Sequence, residues 1–160
     1  MISHLSILRQ PWLSYIYDGT KPIESRANLV KCPPFGKIHK DERLYFKQSG
    51  NFPVTGTALV KDRKYFTENI PETLRTYQDQ IAIDDAYIES KKDAKYLTLI
   101  WLTNVESLRE PFPFVKHDQR AWIVDVQFKS YSPLEYIQNT NQERKQKETL
   151  FDRIIRGQSK

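Results

Sequence analysis

Cysteine, glycine and histidine are scarce in this 160-residue chain: one, five and three residues respectively. A lone Cys32 rules out an intrachain disulfide and a cysteine-based zinc site. His4, His39 and His117 stand apart in sequence, none with a histidine four residues on, so no metal site is legible and no cofactor is expected. With five glycines there is no phosphate-cradling loop, and no G-x-S-x-G elbow presents a nucleophilic serine. Long hydrophobic runs are missing too. No stretch approaches the roughly 18 apolar residues of a membrane span, and the first residues alternate polar with apolar instead of forming a signal core. A cytoplasmic protein without a membrane partner is the expectation.

What is present is an ordinary globular composition, 39% apolar and 28% charged, enough for one domain with a real core. The net charge is +5, a modest lean towards polyanions. The excess is uneven: residues 1–50 carry eight Lys/Arg against four Asp/Glu, whereas residues 51–100 carry seven against eight.

The pattern alternates short strands with short helices. His4–Arg9 reads as a first strand. Pro11 opens a helix on which Trp12, Leu13, Ile16 and Tyr17 fall at helical spacing, and Gly19 suits the position just past its end. Pro22 turns the chain into an extended segment, Ile23–Ala27. Pro33, Pro34 and Gly36 mark a loop. Leu44–Gln48 and the alternating run from Val54 towards Phe66 read as strands, with Leu44 and Phe46 inward and Tyr45, Lys47 and Ser49 on the opposite face. Residues 71–92 read as helical, broken near Asp84. Tyr96–Val105 is apolar almost throughout, the mark of a strand buried on both faces. Pro111–Phe114 reads as an aromatic loop and Ala121–Phe128 as a last strand. Ser132-Pro133-Leu134-Glu135 has the form of a capping box and starts a C-terminal helix. Its middle is polar, and Leu150, Phe151, Ile154 and Ile155 form an apolar stripe at its end. The expected architecture is α+β, with one domain over 1–130 and a helical extension over 131–160 packed on it or pairing with a second copy as a homodimer.

Three blocks resemble a known family. Gly19-x-Lys21-x-x-Glu24-x-Arg26 resembles the G-x-K-x-x-E-x-R signature of ASCH domains. Cys32–Ile38, followed by Glu42–Gly50, is similar to the "PP-x-x-K-I … K-x-S-G" form of bacterial members. Lys116-x-x-x-Arg120-Ala121-Trp122 is similar to the run before their last strand. The resemblance covers most of residues 3–128 and implies a small, mostly antiparallel PUA-like β-barrel with flanking helices. Such barrels mostly bind RNA or other nucleic acid. Some members cleave RNA, and one branch removes an acyl group from N4-acetylcytidine. That branch carries a threonine where this chain has Glu24, so the amidohydrolase reading lacks its nucleophile here.

The residues fit that implication. Lys21, at a helix-to-strand turn, can hold a phosphate as an ammonium or, if desolvated, accept a proton. Glu24 and Arg26, two apart on an extended segment, share a face, where Arg26 can grip phosphate or a base edge. They can equally form a structural ion pair. Trp122, close to Lys116 and Arg120, is the expected stacking residue, with Lys47 assisting, whereas Trp12 and Trp101 read as core. The leading expectation is a cleft of Lys21, Glu24, Arg26, Lys47 and Trp122 that binds RNA or single-stranded nucleic acid. The alternative is a metal-independent ribonuclease using Lys21, Tyr45, Lys47 and Ser49 for proton transfer and charge stabilisation. A third is a protein-interaction role for the C-terminal helix.

Overall fold

A computed structural model describes residues 2–117 and 119–128. Among the described residues six strands form one curled sheet in the order β2-β5-β4-β3-β1-β6. They are β1 (Ser3–Leu8), β2 (Ile23–Asn28), β3 (Arg43–Gln48), β4 (Val54–Phe66), β5 (Tyr96–Phe112) and β6 (Trp122–Ile123). Only β1 and β3 run parallel; the other four pairings are antiparallel. The α+β, mostly antiparallel expectation therefore holds, in the form of a mixed half-barrel. Register slips at three points along the β4–β5 pair, and such irregularities raise the local twist that curls a sheet.

Among the described residues four short helices accompany it: α1 (Trp12–Tyr17), α2 (Ile70–Thr76), α3 (Gln78–Ile81) and α4 (Asp85–Ser90). Leu13 and Ile16 bury one face of α1, and Gly19 takes the left-handed conformation at φ +83° just after its end. Helices of four to seven residues fall well short of the roughly 12–15 needed for stability alone. Packing holds α2–α4 instead. Ile70, Leu74, Ile81 and Ile88 bury against Ile23, Ala27, Leu97 and Leu99, each contributing about 1.5–3 kcal/mol. The other face of the sheet buries Leu8, Leu44, Phe46, Val60, Ile100 and Leu102 with α1. Strand β5 thus feeds both layers, which is why its sequence from Leu97 to Leu102 shows no polar alternation.

Two boundaries differ from the sequence reading. Pro111 and Phe112 belong to the end of β5, where Phe112 pairs with Val54. Instead of a strand over 121–128, β6 has two residues, because Asp125 adopts a left-handed backbone at φ 51° that breaks the extended run. The helix expected after Ser132, with its docking or dimer-forming stripe, lies outside the described residues.

The sheet's two ends approach each other. Arg26 on β2 donates from Nη2 to Ser6 Oγ at 2.7 Å and to the Ile7 carbonyl at 3.1 Å on β1. One guanidinium therefore spans the seam between edge strand β2 and the β1–β6 end of the sheet.

Candidate functional site

A cleft of about 360 Å³ opens at this seam. Ile7, Leu8 and Arg9 line it from the end of β1, Trp12 from α1, Lys21 from the turn, and Glu24, Ser25 and Arg26 from β2; Ser49, Lys116, Gln119 and Ala121 complete it. Four cations and one carboxylate share this lining. The floor is buried: Lys21 is 3% exposed and Glu24 2%. At the rim, Arg9, Ser49, Gln119 and Ala121 are exposed and Lys116 is half-buried.

The floor is a three-membered charge network. Arg26 Nε donates to Glu24 Oε1 at 2.8 Å, and Lys21 Nζ lies 3.4 Å from Glu24 Oε2. Lys21 Nζ also donates to the Ile81 carbonyl at 2.7 Å, tying the cleft to the inserted helices. Desolvation lowers the Lys21 pKa, opposed by the Glu24 carboxylate. The signature spacing explains the arrangement: positions 24 and 26 share a strand face, and 21 sits one turn upstream. Behind the network stands Tyr87 of α4. Burial, then the nearby Glu24 charge, raise its pKa, opposed by the Arg26 charge and the Ser25 hydroxyl.

Trp122 has another place than expected. At 4% exposed, it offers a base no open face. Its ring lies against the Arg26 guanidinium, 5.4 Å from centroid to Cζ, and so braces that side chain. Its indole Nε1 donates to His4 Nδ1 at 3.3 Å. Because an indole N–H can only donate, His4 carries its proton on Nε2 and gives it to Glu42 at 2.8 Å. Glu42 also accepts from the His39 amide at 2.7 Å. This buried chain was not legible in sequence, where His4 and Glu42 lie 38 residues apart; parallel pairing of β1 with β3 brings them together.

The second expected face disperses. Lys47 does not line the cleft: its Nζ donates to the Gly50 carbonyl and, at 3.1 Å, to that of Gln48, fastening the turn after β3. Burial and the Lys116 charge lower its pKa. Tyr45 places its ring against Phe112, centroids 6.3 Å apart. Of that trio only Ser49 borders the cleft. Trp12, read as core, lines the cleft half-buried instead. Ser25, adjacent to Glu24, also borders it, since an edge strand presents its backbone as well as one face to the seam. Among the described residues no group of three or more His, Cys, Asp or Glu could hold a metal ion, and no helix is long and apolar enough to cross a membrane.

No protein-family model matches the chain, and no curated protein matches it in sequence. Solved structures do. An ASCH protein from Zymomonas mobilis superposes with a TM-score of 0.55 at 14% identity, over 69% of this chain and 73% of that one. Two single-residue variants of it give 0.55 at 16% identity, covering 75% of that chain, and 0.53 at 16%, covering 73%, each over 69% of this chain. This chain has an ASCH-like fold. At such identity the likeness speaks for the fold alone. Within the ASCH-like fold, Lys21, Glu24 and Arg26, the charged residues of the signature, meet on the floor of one cleft.

Proposed function

We propose that this chain binds single-stranded RNA, or single-stranded nucleic acid more generally, through the seam cleft. One observation carries the reading: four cations converge on one cleft around a single carboxylate, at the seam of an ASCH-like half-barrel. Arg9 and Lys116, at the rim, are placed for phosphates. Arg26 keeps its fork rigid through Glu24, Ser6 and Ile7, a preorganised donor for an anionic or carbonyl oxygen. Lys21, held by Glu24 and the Ile81 carbonyl, supplies positive potential from below more than direct grip.

A ribonuclease is the second reading, favoured by the lowered pKa of Lys21 on the cleft floor, which brings a lysine nearer to proton exchange at neutral pH. The dispersal of Tyr45 and Lys47 away from the cleft weighs against it. The acylcytidine amidohydrolase reading gains nothing, because Glu24, in the nucleophile's place, is engaged by two cations.

Titration of 5′-labelled single-stranded RNA in EDTA, read on native and denaturing gels, separates these readings. Binding predicts a mobility shift with intact RNA, lost in an Arg9→Ala/Lys116→Ala double variant. Shortened products that vanish in Lys21→Ala would replace binding with hydrolysis. Absence of both effects would refute the nucleic-acid role.

A further inference from the structure

We infer that Trp12 is the surface on which one unstacked base rests, its phosphate held by Arg9 and Lys116; the inference rests on the nucleic-acid reading above. A stacking residue needs a ring that borders the site, keeps part of its surface open and holds a fixed pose. Of the three tryptophans only Trp12 meets all three conditions. It lines the cleft and is half-buried. Its pose is fixed at one end by the indole Nε1, which donates to the Ala82 carbonyl at 3.2 Å. On one side the Tyr87 ring props it at 5.9 Å, inclined at 60°. Trp122 is closed off beneath Arg26. Trp101 packs edge-on against Tyr77 at 5.5 Å, under Lys64, and is not part of the cleft lining.

The cleft's size sets the ligand class. Its 360 Å³ lies near the bottom of the range for small-molecule sites, about 300–1,000 Å³. That admits about one nucleotide and excludes a stacked pair of bases. The chemistry is layered to match. Over a floor in which Lys21 and Glu24 are buried, the half-buried Arg26 guanidinium is the polar group offered to a base edge, the Trp12 ring offers a flank, and the rim offers Arg9 and Lys116 to the anion. A duplex keeps its bases stacked and paired, so the cleft selects single strands or ends from which a base can swing out.

Tryptophan fluorescence tests this in a Trp101→Phe background, which removes one emitter remote from the cleft. Uridine 5′-monophosphate should quench emission saturably, and ribose 5-phosphate, which lacks the base, should not. The quenching should vanish when Trp12→Phe is added. In anisotropy titrations of an eight-residue oligouridylate, Trp12→Leu should bind about 5- to 150-fold more weakly, the usual worth of one base–aromatic stack. Trp12→Phe, which keeps a ring, should retain most of the affinity, and a blunt RNA duplex should compete poorly. Trp12 also packs on the core, so the wild-type quenching decides if Trp12→Leu fails to fold. Equal quenching by ribose 5-phosphate, or a folded Trp12→Leu that binds RNA like wild type, overturns the base platform while the nucleic-acid reading stands. Wild-type protein that binds no single-stranded RNA overturns both.

Discussion

Replacing Glu24 should cost this protein far more stability than a typical surface carboxylate. The side chain is 2% exposed and is the carboxylate shared by two cations, Lys21 Nζ at 3.4 Å and Arg26 Nε at 2.8 Å. An exposed pair of this kind is worth at most about 1 kcal/mol. A buried pair behaves differently: removing one partner strands charge in a poorly solvated site, at about 3–5 kcal/mol. For a chain of this size each kcal/mol moves Tm by about 2–4 °C, so Glu24→Gln should lower Tm by about 6–20 °C. Gln keeps the shape and one hydrogen-bond acceptor, so the loss reports charge. Thermal unfolding followed by circular dichroism gives the number. The combined Lys21→Met/Glu24→Leu/Arg26→Met variant should recover only part of the loss: well-packed apolar groups replace the buried ion pairs at little cost, but the Arg26 bonds to Ser6 and Ile7 across the seam go with them. A Glu24→Gln protein melting within 2 °C of wild type would refute the picture of Glu24 as the counter-charge of the cleft floor.

Arg26→Lys should open the seam between β1 and β2, since an ammonium cannot reproduce the fork to Glu24, Ser6 and Ile7; faster amide exchange in β2 than in β4, measured against wild type, checks it. Gly56→Ala should destabilise by about 1–3 kcal/mol, because its Cβ would lie 2.5 Å from the Tyr17 ring, and urea denaturation reads the change. Glu42 has a pKa lowered below its usual value near 4.5: burial pushes it up, but the hydrogen bonds from His4 and His39 outweigh that. The stability it contributes is therefore present above about pH 4.5 and is lost as pH falls through the lower folded value. Glu42→Gln should flatten the pH dependence of Tm in that acid window, and an unchanged profile would count against the His4–Glu42 link.

The element order was legible because hydrophobic period and turn residues agree along most of the chain. Gly19 closes α1 where its sequence position requires, and the unbroken apolar run of β5 is buried on both faces. The failures have physical causes. Ala121–Phe128 alternates like a strand, yet its local pattern does not reveal the left-handed backbone at Asp125 that ends β6 after two residues. The signature trio could be placed in advance, since positions 21, 24 and 26 are close in sequence and the strand period puts two of them on one face. Partners supplied by distant strands could not. The His4–Glu42 bond depends on β1–β3 pairing, and the burial of Trp122 depends on where β6 lands. Trp12 looked like core because its neighbours Leu13 and Ile16 are core, and helical spacing cannot tell the edge of an apolar stripe from its centre.

The salt dependence of single-stranded RNA binding tests the central claim most directly. With Arg9 and Lys116 as the phosphate contacts, log K should fall with log salt concentration at a slope of about −1.4, or 0.7 per contact on a single strand. Arg9→Ala and Lys116→Ala should each reduce that slope by about 0.7, and Lys37→Ala, outside the cleft lining, should leave it unchanged. Binding indifferent to salt, or a slope that neither cleft variant alters, would contradict a nucleic-acid site at the seam.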